Sequence, residues 1–153
     1  SSTNRPPNTA AAGRACGVMR AAIKAAIAHV RDRKVFGAPL ASFALTQMKI
    51  GRMAARYLAC RQLAEATGRA ADSKTHAMEA SQAKLLACRS AEWVTREAQQ
   101  LHGAMGYAEE TPVSRHFVDA RVLSIFEGAE ETLALKVNGR TLLDAARAQE
   151  VPA

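Results

Sequence analysis

Three short stretches of this 153-residue sequence carry side chains whose types and spacing suit chemistry. In VLSIFEGAEETLALKV, residues 122–137, Glu127 stands between bulky Phe126 and flexible Gly128, where an apolar strip gives way to an amphipathic helix. Glu130 and Glu131 behind it suit the positive end of a helix dipole. Glu127 needs another reason. A carboxylate held in a tight Phe-Glu-Gly turn beside apolar side chains is partly desolvated, which makes it a better base near neutral pH. A backbone N–H left free at the start of a helix can polarise a carbonyl. Together they suit removal of a proton next to a carbonyl. The competing reading is a solvated acid at a helix N-terminus.

The second stretch is RDRKVFGAPL, residues 31–40. Arg31, Arg33 and Lys34 close to a Gly-Pro break suit a phosphate, and Arg33 suits bidentate contacts. The dipole of a helix C-terminus would also account for Arg33, and Phe36 reads as a core plug or a stacking platform. The third is QQLHGAMGY, residues 99–107. Gly103 and Gly106 serve a helix end and turn. A glycine loop also lets a backbone approach a pyrophosphate, and the Gln100 amide is placed to reach the same ligand. No Gly-Lys-Ser/Thr follows, so this is not a P-loop, and no strand precedes it as a Rossmann fingerprint would need.

These stretches must be positioned by helices. Hydrophobic residues make up 48% and aromatics 5%, with alanine throughout, a composition suited to close helix–helix packing. A first helix is expected from a Thr9 cap to about Arg33, with Met19, Ile23, Ile27 and Val30 inward. Gly37 and Pro39 break it, and Ser42 caps a second helix to about Ala70, with Met53, Tyr57 and Ala64 on one face and Ile50 and Leu58 beside them. A third, roughly 76–102, buries Leu85, Ala87, Val94, Ala98 and Leu101. A short helix near 112–121 follows, then a last one from about Ala129 to Ala148 with Leu133, Val137 and Leu142 inward. The second and third should each reach about 40 Å. The fold expected is all-α: an up-down four-helix bundle with one short extra helix. Residues 1–8 read as a leader or linker remnant, 9–148 as the bundle and 149–153 as a tail.

Cys16, Cys60 and Cys88 are odd in number and far apart, so they read as small core residues of a reducing compartment. The four histidines lack metal-ligand spacing, no metal is expected, and no apolar run approaches the ~20 residues of a membrane span. A formal charge of +7 suits a polyanion, either nucleic acid or a phosphorylated cofactor and coenzyme. The cations, however, form no dense run.

Taken together, in order and spacing, the motifs resemble the C-terminal helical domain of the acyl-CoA dehydrogenase family. That family reads Arg-x-x-Phe-Gly-x-Pro-Leu, here Arg33 to Leu40, and Gln-x-His/Phe-Gly-Gly-x-Gly-Tyr/Phe, here Gln100 to Tyr107. It then reads Pro-x-x-x-x-x-x-Asp-Ala-Arg, here Pro112 to Arg121, and Ile-Tyr/Phe-Glu-Gly-Thr-x-Glu, here Ile125 to Glu131. The resemblance runs from about residue 9 to 145. It implies α,β-dehydrogenation of an acyl-CoA thioester, with Glu127 as the base that removes the α-proton while a hydride leaves the β-carbon for FAD. The Glu127 N–H would help hold the thioester carbonyl, with Phe126 and Gly128 beside the substrate. Arg33, Phe36, Gln100, Gly103 and Ala104 would meet the adenosine-diphosphate half of a neighbouring subunit's flavin, and Ala129 and Glu131 this subunit's own. Some branches carry the base on the first helix, but the matching position falls near Pro7, which cannot serve.

The resemblance also implies a dimer or tetramer and an electron-transfer flavoprotein or similar acceptor, and the reducing compartment read from the cysteines makes the expected location cytoplasmic. Ala44, Ala104, Ala129 and Val118 depart from the Gln, Gly, Thr and Arg usual in the family. The family's N-terminal helical and middle β-domains are not in this sequence, so the chain alone is expected to be inactive. Two rivals remain at this level: a DNA-binding flavoprotein branch of the family, and an oligomerisation module without chemistry.

Overall fold

The computed structural model describes residues 7–69, 74–126 and 132–150. Four α-helices come first: α1 (Pro7–Asp32), α2 (Ala44–Arg69), α3 (Lys74–His102) and α4 (Pro112–Leu123). A wide π-helical stretch, Leu133–Gly139, then runs into α5 (Arg140–Glu150). The all-α bundle with a short extra helix, α4, is therefore observed.

The most extensive interface joins α1 to α3. Alanines make it possible: Ala12, Ala15, Ala22 and Ala26 of α1 and Ala83, Ala87, Ala91 and Ala98 of α3 belong to one buried cluster. Without large side chains between them, two helices approach near the lower end of the usual 8–10 Å separation. Met19, Met53, Val94 and Val113 fill the larger gaps, each contributing about 1.5–3 kcal/mol on burial. His29 and His102, each in the last turns of its helix, stack with ring centroids 4.4 Å apart, so α1 and α3 run in the same direction. A Cβ on Gly68, near the end of α2, would lie 3.6 Å from Thr9 at the start of α1, so α2 runs the other way. Lys49 of α2 pairs with Glu97 of α3 at 2.6 Å. The Arg56 guanidinium lies 4.2 Å over the Trp93 ring.

The connection from α1 to α2 departs from a simple break. Lys34–Val35 (β1) and Ala38–Pro39 (β2) form an antiparallel hairpin, with Lys34 opposite Pro39 and Val35 opposite Ala38. Its two-residue turn is Phe36–Gly37, both at positive φ (53° and 79°), which matches the twist of the flanking strands. Ser42 does not cap α2: its hydroxyl donates to the Pro39 carbonyl at 2.7 Å, and α2 starts at Ala44. Thr9 lies inside α1, which begins at Pro7, and its buried hydroxyl has no hydrogen-bond partner among the described residues. α4 starts with Pro112 in its first turn, where a missing N–H costs nothing.

Several side chains expected inside are not fully buried. Along α2 the buried residues are Thr46, Met53, Cys60 and Thr67, one every seven, so the helix buries only a narrow seam. Leu58 falls off that seam and is exposed, with Leu45 and Met48. Ile27 borders a groove with Tyr57 between α1 and α2, and Leu142 is exposed on α5. On α3, Leu85 is only half-buried, and its neighbour Lys84 takes the interior position. The side chains of Leu133 and Val137 are outside the described set.

All three cysteines are free and buried. Burial first, then the neighbouring Cys60 and Cys88, pushes the Cys16 thiol up to about 11, which leaves it inert as a nucleophile near neutral pH. Among the described residues no group of three or more His, Cys, Asp and Glu side chains is arranged to hold a metal. None of their helices is long and apolar enough to cross a membrane.

Burial lowers the pKa of His29, and the facing His102 and Arg33 lower it further against the weaker pull of Asp32. The unfolded chain therefore takes up this proton more readily than the folded one. The contribution is fully present above the ordinary value of about 6.5 and is lost as pH falls through the lower folded value. Urea unfolding between pH 7.5 and 5 is expected to show stability falling with pH, with a shallower fall in His29→Gln. Identical slopes in the two proteins would remove His29 from this account.

Candidate functional site

Two concave surfaces hold the sequence motifs. The first lies at the C-terminal ends of α1 and α3. It is a groove of about 450 Å³ bordered by His29, Arg33, Lys49, Gln100, Gly103 and Ala104, among others. Arg33 reaches it because its N–H closes the last turn of α1 on the His29 carbonyl (2.8 Å) while its own carbonyl accepts from Leu40 N–H (2.8 Å). The residue is thus pinned between helix and hairpin. Its side chain and that of Gln100 are exposed.

The loop on the other wall, Gly103–Gly106, is a single 3-10 turn. Gly103 has φ +61° and nothing within 4 Å of where a Cβ would stand, so its backbone is open to approach. Gly106 is glycine for packing, since a Cβ there would meet the Gln99 carbonyl oxygen at 2.3 Å. The Gln99 amide also donates to the Gly106 carbonyl at 3.0 Å, tying the loop back onto α3. Gln99 therefore holds the loop, and Gln100 faces the groove. Ala104 is exposed, so its methyl group projects where the family's usual glycine would leave room.

Phe36 is the outlier. It is 96% exposed and sits in the left-handed region, where a bulky L-residue is disfavoured. It is not a core plug. Nothing in the described fold covers the ring, and strain of this kind gathers at functional positions. His29, Lys49 and His102 also border the groove; sequence reasoning gave them no role. Their signal was position: His29 and His102 fall in the last turns of the helices that lead to Arg33 and carry Gln100, and Lys49 lies near the start of α2, where it meets Glu97 of α3.

The second surface is a cleft of about 780 Å³ between α1 and α4. Gly17, Val18 and Ala21 line one side and Val122, Leu123 and Phe126 the other, with Arg14 and Asp119 also at its border. The lining is mostly apolar and closes on Phe126, the residue before Glu127. Glu127, Gly128, Ala129 and Glu131 lie outside the described residues.

What holds Phe126 there is visible. The chain leaves α4 in a tight turn in which Ile125 and Phe126 N–H both donate to the Val122 carbonyl at 3.1 Å. From α3, the Cys88 thiol reaches the Leu123 carbonyl at 3.5 Å, Glu92 accepts from the Ser124 hydroxyl and from Arg121, and the Lys84 ammonium donates to the Phe126 carbonyl. Sequence reasoning missed Lys84.

Comparison with known proteins identifies the family. Residues 8–142 match the family model "Acyl-CoA dehydrogenase, C-terminal domain". The short-chain specific acyl-CoA dehydrogenase of Bos taurus mitochondria is 38% identical over 135 residues, covering 86% of this chain and 32% of that protein. The butyryl-CoA dehydrogenase structure from Megasphaera elsdenii superposes with a TM-score of 0.81 at 34% identity, covering 89% of this chain and 36% of that one. A glutaryl-CoA dehydrogenase from Mycobacterium smegmatis in complex with FADH2 matches at 27% identity and a TM-score of 0.80, over 88% of this chain and 35% of that one. The chain thus spans about a third of the length of these relatives. By fold, motifs and sequence alike, it belongs to the acyl-CoA dehydrogenase family, where it corresponds to the C-terminal helical domain.

Proposed function

We propose that the protein carrying this chain dehydrogenates an acyl-CoA thioester between its α- and β-carbons, with Glu127 as the base. The observation that carries the proposal is the apolar cleft ending at Phe126. Substrate in that cleft would lie against the one residue in the Ile-Phe-Glu-Gly motif able to accept a proton. Removing an α-proton leaves negative charge on the thioester oxygen, and the Glu127 N–H would meet it. The apolar side chains of Val18, Ala21, Val122 and Leu123 would lie beside the acyl group, and apolar surroundings of this kind make a carboxylate a better base.

The groove at the other end of α1 and α3 fits FAD. A dinucleotide with a pyrophosphate needs a cation, an approachable backbone and a surface for its flat rings. Arg33 and the open Gly103 backbone offer the first two at the groove, with Gln100 beside them, and the exposed Phe36 ring, next to Val35 on the adjoining hairpin, would offer the third. FAD would supply the acceptor for the hydride from the β-carbon. Arg33, Phe36, Gln100, Gly103 and Ala104 would hold the flavin of a neighbouring subunit, and Ala129 and Glu131 that of their own. The exposed Leu45, Met48 and Leu58 of α2 support a homo-oligomer, because a narrow-seamed helix leaves an apolar face to cover. Electrons would pass on to an electron-transfer flavoprotein or a similar acceptor. On this reading the chain is inactive alone and acts as part of a longer protein or a multi-chain assembly.

In the natural-length protein, titrated anaerobically with butanoyl-CoA and other acyl-CoAs, the flavin absorbance should bleach. Glu127→Gln should slow that step by about 10³-fold, at the middle of the range for a positioned base, without loss of flavin. A variant that bleaches at the parent rate would sink the assignment.

Arg33→Ala should weaken flavin retention about 10–100-fold, the size of one lost charge-assisted hydrogen bond. Flavin content after dialysis reads this directly, and an unchanged content would place the phosphate elsewhere.

Phe36→Gly should act in two directions. Removing left-handed strain stabilises the fold by about 1 kcal/mol, seen as a higher Tm of the flavin-free protein, while flavin retention falls. If both rise together, the ring has no role in binding.

A further inference from the structure

His29 and His102 border the same groove as Arg33, and their rings stack with centroids 4.4 Å apart and planes 24° from parallel. The His102 Nδ1 lies 2.7 Å from the Ala98 carbonyl oxygen, one turn back on α3. That nitrogen therefore carries a hydrogen in either charge state, and Nε2 is where the ring gains or loses its second proton. A histidine that hydrogen-bonds one of the last carbonyls of its helix is an ordinary cap. With the second ring packed on it, that would account for the pair and nothing more.

The location argues for more. The groove lies at the C-terminal ends of α1 and α3, where two helix dipoles present partial negative charge. That end repels an anion, so a pyrophosphate here needs more positive charge than the guanidinium of Arg33 supplies. The charged groups around the pair are few. Asp32 ends α1 and Arg33 follows it. α2 brings Lys49, whose ammonium is held by Glu97 of α3 at 2.6 Å. The hairpin and the turn after it present the uncharged Val35 and Leu40. Burial, then His102, then Arg33 hold the His29 pKa down against the weaker pull of Asp32. An anion settling beside Arg33 offsets that repulsion and adds an attraction of its own. The two dipoles also favour a proton on the rings. At 4.4 Å the stacked pair accommodates one such charge rather than two.

We propose that the His29–His102 pair is a second anion-recognising element of this groove, taking up one proton as the pyrophosphate of the flavin dinucleotide binds, so that flavin is held more tightly as pH falls. The inference rests on the assignment of the groove to FAD above. Its sign follows from linkage, since a ligand that favours the protonated pair gains affinity as protons become available. An opposite charge at close range raises a pKa by about one or more, and each such step is about tenfold in affinity once pH has fallen through the range. Both phosphates of a dinucleotide are diesters, so the ligand's own charge stays constant there.

The experiment uses the natural-length protein freed of flavin and titrates it with FAD at constant ionic strength, following flavin fluorescence. Affinity should rise about 5–10-fold between pH 8 and pH 5.5. The double variant His29→Gln, His102→Gln should lose this rise, whatever its affinity at pH 8. A flat parent profile, or a rise that survives in the double variant, overturns the proposal. If the double variant does not fold, the parent alone decides by calorimetry near pH 6 in two buffers of different ionisation enthalpy. FAD binding should then take up protons, up to one per flavin, and binding without uptake overturns the proposal. Arg33→Ala separates this inference from the reading beneath it. Unchanged FAD affinity in Arg33→Ala defeats the groove as the flavin site. Weakened affinity in Arg33→Ala beside a flat parent profile defeats only the histidine pair.

Discussion

The close approach of α1 to α3 is the constraint on which the other features depend. It rests on alanines at the facing positions, and it forces two parallel helices to lie together although the chain must first turn back through α2. The consequences appear at their C-terminal ends. Arg33 leaves α1 beside Gln100 and the Gly103 loop leaving α3, with His29 stacked on His102 between them. Larger side chains at Ala22, Ala26, Ala91 or Ala98 would separate the two ends, and the groove would lose one wall. The packing of a small-residue seam thus sets the geometry of a site whose own residues are mostly exposed.

Two of the places where the described fold breaks local rules lie beside the candidate sites. Phe36 occupies a backbone region that suits glycine or asparagine, at a turn where Gly37 alone meets the requirement. Lys84 places an ammonium where the surrounding stripe is alanine, cysteine and valine. Neither is expected of a chain selected for stability alone. Away from these sites the local signals agree with one another, as at Pro112 of α4 or the seven-residue seam of α2. Conflicts between local preference and fold concentrate where function demands them.

This pattern also explains what the sequence made legible. The helices α1 to α4 were readable because Gly37, Pro39 and Gly103 interrupt strong periodicities, and their ends fell within a few residues of expectation. The hairpin was not, since strands of two residues have no period and a Phe-Gly turn lacks the usual Asn-Gly signal. The π-helical stretch escaped because one extra residue in a wide turn leaves a 3.6-residue pattern nearly intact. Leu58 and Ile27 misled because a long apolar side chain on a helix face says that something covers it, not that the same chain does. The Arg33, Gln100 and Gly103 group was legible from motif order alone, and the structure places its members around one groove. Lys84 was hidden by its type: a lysine at position 84 reads as solvated, and Leu85 beside it took the expected core role. Its signal was that residues 80, 83, 84, 87, 91, 94 and 98 are all buried along one helix, with a single cation among them.

The distribution of charge follows the same logic. A net +7 spread over a polyanion-binding face would need free cations side by side. Some of the cations are paired instead: Lys49 with Glu97 and Arg121 with Glu92 join two helices, while Arg61 and Arg69 with Glu65 and Arg115 with Asp119 pair along one. Exposed pairs of this kind add little stability each, but they occupy the side chains. Lys49 borders the groove at the ends of α1 and α3, yet its ammonium is committed to Glu97 at 2.6 Å. Arg33 is then the cation at that groove whose position is fixed by backbone hydrogen bonds on both sides and whose side chain remains exposed. On the proposed reading, such a site would recognise an anion by one well-placed guanidinium, an open backbone and the histidine pair rather than by a field, which suits a single pyrophosphate better than a long polyanion.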